Sequence, residues 1–107
     1  MNHAEPSYSK MSDPLEKDIE AKVCLYARDK GMLTYKFTSP ARAAVPDRLF
    51  IAPDGRVFFC EFKRGGKKPT PAQEREHGKL RQQNVLVFVV DNVADGKLMI
   101  DVMGWSK

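Results

Sequence analysis

The dipeptide Asp54-Gly55 sits between two runs of apolar and β-branched residues, Arg48-Leu49-Phe50-Ile51 and Arg56-Val57-Phe58-Phe59-Cys60-Glu61-Phe62-Lys63. Asp-Gly between apolar runs is a strong local signal for a β-hairpin, because glycine adopts the positive φ such turns need. The two runs therefore pair antiparallel about Ala52-Pro53-Asp54-Gly55, and their far ends meet. Asp47 lies seven residues before Asp54, and Glu61 six after Gly55. The hairpin thus carries both carboxylates to the same end. Alternation along the second run puts Phe58, Cys60 and Phe62 on one face, suited to a core. Val57, Phe59, Glu61 and Lys63 share the other. A carboxylate and an ammonium at the end of a half-apolar face are costly unless paired or coordinated.

The rest of the chain supplies elements to pack on this hairpin. Residues 1–12 are polar and aperiodic, which predicts a mobile tail before a single domain over 13–107. Asp13-Pro14-Leu15-Glu16 has the form of a helix start, with Asp13 as cap, Pro14 at the first position and Glu16 completing a capping box. Leu15, Ile19, Val23 and Tyr26 recur at helical spacing, and Gly31 is a suitable stop, so the helix spans about Pro14 to Lys30. Met32 to Thr38 reads as a strand. Ser39 to Ala44 is a loop, and Pro46 blocks regular pairing at the start of the next strand. After the hairpin, Arg64 to Pro69 forms a flexible basic loop. Thr70-Pro71-Ala72-Gln73 opens a second helix, again with a capping box, that continues to about Gln83. Val85 to Asp91 is a continuous apolar run, expected as a strand buried on both faces. Gly96 marks a turn, and Leu98 to Met103 is expected as a last edge strand. The order α, three strands, α, then one or two strands defines an α/β fold with helices packed on a mixed sheet.

At 107 residues the chain can bury one core. Its longest apolar stretch, Val85 to Val90, is too short to span a bilayer, and the N-terminus lacks a signal-peptide pattern. A cytoplasmic location is the default expectation. Cys24 and Cys60 fall in core-forming elements outside any CxxC or Cys/His cluster, so buried free thiols are expected rather than zinc ligands. The formal charge is +4. It is uneven: Arg56 to Arg81 holds eight Lys/Arg against three Glu. A basic face of that kind suits a polyanion, although many such faces are only solvated.

Two carboxylates at one sheet end form a hard-oxygen site suited to Mg²⁺ or Mn²⁺, which can activate water and polarise a phosphoryl oxygen. A neighbouring lysine can position the water or stabilise the charge that develops on phosphorus. An isolated Glu-x-Lys is ordinary surface chemistry. Joined to Pro46-Asp47 before a hairpin, it becomes specific. Pro46-Asp47 with Glu61-Phe62-Lys63 resembles the PD-(D/E)XK nuclease signature. Together with Ile19-Glu20, Lys36-Phe37-Thr38-Ser39-Pro40, Val45-Pro46-Asp47-Arg48 and Gln73, it resembles the VRR-NUC family, in particular its short stand-alone virus-type and bacterial members. The resemblance runs from about Leu15 to Asn92.

It implies a restriction-endonuclease-like αβββαβ core, a divalent metal and hydrolysis of phosphodiester bonds in DNA. For stand-alone members it also implies a homodimer acting on branched DNA such as four-way (Holliday) junctions, in a bacterial or virus-infected cell. Asp47 and Glu61 would bind the metal with the backbone carbonyl of Phe62, and Lys63 would assist the attacking water. The family's further acidic residue on the first helix falls on Glu16 or Glu20. Glu20 is favoured, because the capping box already accounts for Glu16 and Glu20 occupies the Ile-Glu position, and it would complete the metal-binding acidic cluster directly or through water. Gln73 matches a glutamine near the active centre and also fits its own capping box. Lys36 matches a phosphate-contacting lysine, or is a snorkelling surface lysine. Arg64, Lys67 and Lys68 can grip a phosphate backbone without reading bases, or form a solvated loop. His77, among Glu74, Glu76 and Lys79, is expected at the surface. Trp105 is expected over a sheet edge or at a dimer contact. The rival readings are a nuclease for flap, nicked or single-stranded DNA, a DNA-binding module without catalysis, and a basic adaptor for protein partners.

Overall fold

A computed structural model describes residues 15–105. The helix α1 spans Glu16–Asp29, and three antiparallel strands follow: β1 (Leu33–Lys36), β2 (Arg48–Ile51) and β3 (Val57–Phe62). Next come α2 (Pro71–Gln82), β4 (Leu86–Val90) and α3 (Val93–Gly104). The sheet order is β1-β2-β3-β4, with β4 parallel to β3 across the α2 crossover. The expected αβββαβ core is present, and a third helix completes it.

The hairpin forms as its turn residues dictate. Gly55 takes φ 93° and donates its N–H to the carbonyl of Ala52 at 2.9 Å. Phe50 and Phe58 are paired across the two strands and stack with ring centroids 5.1 Å apart. With Cys60 and Phe62 they form the buried face of the sheet. Ile19, Val23 and Ala27 of α1, and Met99, Ile100 and Met103 of α3, join them in one core. Cys24 and Cys60 are buried free thiols, as expected.

Three expectations change. Asp13 and Pro14 lie outside the described residues. Within those residues α1 opens on Leu15, which makes no side-chain cap, so Glu16 stands at the first helical position rather than in a capping box. The β4 run is not buried on both faces: it is the edge of the sheet, and Leu86 and Val89 are exposed. The segment read as a turn and an edge strand is instead α3. Asn92 caps it by accepting the N–H of Asp95 at 2.8 Å, and Met99, Ile100 and Met103 are buried at helical spacing. Gly96 is therefore a packing glycine. A Cβ there would stand 2.3 Å from Cγ2 of Val23, so its absence lets α3 lie against α1.

Candidate active site

The site occupies the end of β2 and β3 remote from the Gly55 turn. The approach to β2 is constrained on both sides of Val45: Ala44 takes φ 67°, and Pro46 is buried. Arg48 pairs with Cys60, so one step outward Asp47 stands level with Glu61. Asp47 is held twice. Its carbonyl accepts the N–H of Phe37 at 2.9 Å, and its Oδ2 accepts the N–H of Phe62 at 2.8 Å.

Glu61 is 1% exposed. Its Oε2 accepts Gln73 Nε2 at 3.0 Å and has Lys63 Nζ 3.7 Å away. Gln73 meanwhile caps α2: its Oε1 accepts the N–H of Thr70 at 2.9 Å, and its own N–H reaches Thr70 Oγ1 at 3.2 Å. The two roles expected of Gln73, helix cap and neighbour of the site, coexist in one side chain. The other carboxylate oxygen, Glu61 Oε1, is buried with no hydrogen-bond partner.

Burial pushes the Glu61 carboxyl up to about 7; the charge of Asp47 adds to this and Lys63 opposes it. Burial also raises Asp47, with the Phe62 N–H opposing and Glu20 adding. Two neighbouring carboxylates that resist ionising together require a proton or a cation. The starved Oε1 and the hard-oxygen donor set fit a small divalent ion. Among the described residues no cluster of three or more His, Cys, Asp or Glu side chains encloses such an ion. Two carboxylates without a full protein cage match the way Mg²⁺ is held, with part of its shell left to water and substrate phosphate.

The two helix glutamates have different surroundings. Glu20 Oε2 accepts Arg48 Nε at 2.6 Å and Lys36 Nζ at 3.0 Å. Burial alone would raise its carboxyl, but these two cations outweigh burial and hold it below the ordinary value. Glu16, half-buried one turn earlier, has neither an ion pair nor a side-chain hydrogen bond among the described residues. Its carboxyl is raised by burial and then by the charge of Asp47, with Lys63 opposing. Glu16 therefore lies in the field of the site, while Glu20 is neutralised beside it.

Lys36 is largely exposed and engaged with Glu20. Arg64 is half-buried, and Lys67 and Lys68 are exposed on the loop that leaves β3. That loop is pinned where Gly66 donates its N–H to Asp91 Oδ2 at 3.0 Å. A cleft of about 460 Å³ between Phe37, Arg42 and Val45 and the α2 residues Glu76 and Leu80 contains none of Asp47, Glu61 and Lys63. The catalytic candidates thus lie outside that cleft, with Glu61 buried and the Lys63 side chain only 13% exposed.

His77 is not at the surface. It is 0% exposed, and its Nε2 lies 3.7 Å from Glu61 Oε1. Burial, then Arg81, lowers its imidazole from the ordinary value. The signal was available: Gln73 and His77 are four apart on α2 and share a face. Arg48 was also missed, although it alternates with the core residue Phe50 on the face that α1 covers. Trp105 is exposed rather than packed over an edge.

No protein-family model matches the chain. A protein of Acyrthosiphon pisum secondary endosymbiont phage 1, described as "Putative nuclease p44", is 44% identical over 80 residues, covering 75% of this chain and 82% of that protein. A solved structure described as a VRR_NUC domain superposes with a TM-score of 0.75 at 31% identity, covering 80% of this chain and 94% of the other.

Proposed function

The chain belongs to the VRR-NUC family of nucleases, and from that premise we propose that it is a divalent-metal-dependent endonuclease that cuts branched DNA as a homodimer. The observation that carries the chemistry is the pair Asp47 and Glu61 at one sheet end, with a buried carboxylate oxygen lacking a partner and Lys63 alongside. Asp47 and Glu61 are assigned as ligands of Mg²⁺ or Mn²⁺, with the Phe62 carbonyl. When bound, the ion supplies Lewis-acid polarisation of a phosphoryl oxygen and lowers the pKa of water.

The protein's own groups do the rest. Gln73 holds the Glu61 carboxylate through Oε2. The Lys63 ammonium orients the attacking water and stabilises negative charge developing on the non-bridging oxygens during in-line displacement. The helix acid is assigned to Glu16 in place of Glu20, because Arg48 and Lys36 already occupy the Glu20 carboxylate. Glu16 completes the acidic cluster, directly or through water. Arg64, Lys67 and Lys68 hold the phosphate backbone by charge, and Lys36 adds to that field from the neighbouring strand.

Two features support a second copy as partner. Leu98 and Val102, four apart on α3, and Trp105 at its C-terminal cap are 60%, 58% and 68% exposed. Leu33, Tyr35 and Val57 are also exposed on the sheet face opposite the core. A two-fold enzyme matches a junction whose two strands require paired cuts.

Purified protein with Mg²⁺ or Mn²⁺ on a panel of four-way junction, flap, nicked, single-stranded and linear duplex DNAs tests the reading, with Asp47→Asn and Lys63→Ala as controls. Junction cleavage lost in both variants is the expected result. Cleavage that survives Lys63→Ala overturns the mechanism, and preferential cutting of flap or single-stranded DNA overturns the substrate assignment.

A further inference from the structure

The buried side-chain nitrogen and oxygen atoms without a hydrogen-bond partner, among the described residues, are three: Glu61 Oε1, His77 Nδ1 and His77 Nε2. They lie together, since Nε2 is 3.7 Å from Oε1. Native interiors leave few polar groups unsatisfied, and a histidine that only filled space would be better replaced by an apolar residue of similar size. His77 is therefore poorly explained as core packing. It also shares a helix face with Gln73, four residues earlier, whose amide holds the opposite oxygen of the same carboxylate. Helix α2 thus delivers two nitrogen groups to the two oxygens of Glu61. One bond is made; the other stands less than an ångström beyond hydrogen-bond reach.

We propose that His77 is a positioning residue for Glu61: its Nε2–H donates to Oε1 and, with Gln73 on Oε2, fixes the carboxylate so that a remaining lone pair of Oε1 faces a divalent cation. A neutral imidazole carries one N–H, so the proposal requires the Nε2–H tautomer. Donors that brace a ligating carboxylate from behind set ligand orientation, and their loss commonly costs 10–100-fold in metal affinity. The inference rests on the assignment of Glu61 as a metal ligand, and the experiment separates the two.

The experiment has two arms, neither requiring DNA cleavage. In the metal-free protein, long-range ¹H–¹⁵N spectra of the imidazoles identify which nitrogen of His77 is protonated. The expected result is Nε2–H, with its resonances shifted by Glu61→Gln. An Nδ1–H tautomer, or resonances indifferent to Glu61→Gln, overturns the proposal. In the second arm, Mn²⁺ is titrated calorimetrically into wild type, His77→Leu and His77→Gln, each checked for its folded fraction. His77→Leu is expected to bind Mn²⁺ at least about tenfold more weakly with no loss of thermal stability, and His77→Gln to recover part of the affinity. Unchanged affinity in His77→Leu, or a loss that follows the folded fraction, overturns the proposal. If His77→Leu does not fold, His77→Gln and the spectra still decide. If wild type binds Mn²⁺ no better than Glu61→Gln does, the ligand assignment fails, and with it the metal-directed role of His77; the spectra then report the His77–Glu61 contact by itself.

Discussion

A carboxylate on a helix that faces a sheet is either neutralised by the sheet's cations or left without an ion pair, and among the described residues α1 carries one of each. Glu20 is closed by Arg48 and Lys36. Its lowered carboxyl means that the folded state binds its proton less readily than the unfolded chain. That stability is fully present above the unfolded value near 4.5 and is lost as pH falls through the lower folded value. Glu20→Gln should therefore cost about 1.5–3 kcal/mol at pH 7, the scale for hydrogen bonds to charged groups. Urea denaturation at pH 7 and again below 4.5 should show the deficit shrinking with acid. Glu16→Gln should do the reverse, leaving the urea midpoint in place while lowering the cleavage rate roughly 10–100-fold, as loss of a group supporting a metal site does. Glu16 was legible as an acid near the site, but its apparent capping role obscured it. The cap at the described start of α1 is Leu15, which has no side-chain acceptor.

At the scale of elements, local rules worked wherever the chain's own neighbours satisfy its backbone. The Thr70 capping box, the proline start of α2 and the Gly55 turn form as read. The same rules contain α3, through Asn92 and the spacing of Met99, Ile100 and Met103, but Gly96 by itself reads as a turn. Its real constraint is Val23 on another helix, which sequence spacing does not reveal. Gly96→Ala should overpack that crossing and cost about 1–3 kcal/mol, despite alanine's better helix propensity. A calorimetric scan should record it as a fall in Tm of about 4–8 °C per kcal/mol. Ala44 presents the opposite case. At φ 67° it occupies a conformation that disfavours side chains, so Ala44→Gly should retain or gain stability, by up to about 1 kcal/mol, without altering the approach to Asp47.

For the whole molecule, sheet order decides what is covered. An apolar run such as β4 reads as a strand buried on both faces, yet the order β1-β2-β3-β4 makes it an edge. Exposed apolar residues accumulate on α3 and on the open sheet face, and no helix among the described residues is long and apolar enough to cross a membrane. Light scattering should give the mass of a dimer for the native chain, and of a monomer for Leu98→Glu combined with Val102→Glu. A metal that binds only the folded state should also stabilise it, by about 2.7 kcal/mol at a hundredfold excess over Kd. Adding Mn²⁺ should accordingly raise Tm, a chelator should reverse the gain, and Glu61→Gln should show little of either.

The sequence by itself determined the hairpin and therefore the meeting of Asp47, Glu61 and Lys63, because a turn residue, a period of two and a count of residues are local quantities. It also determined α2 and the capping role of Gln73, since capping is settled within four residues. Tertiary structure decided which helix glutamate took the sheet's cations, which histidine was buried and which strand became an edge. Each of those depends on groups far apart in the chain: Arg48 opposite Glu20, α2 laid over Glu61, and no strand beyond β4 among the described residues. Burial and charge pairing are properties of neighbours in space, and only the packed fold supplies them.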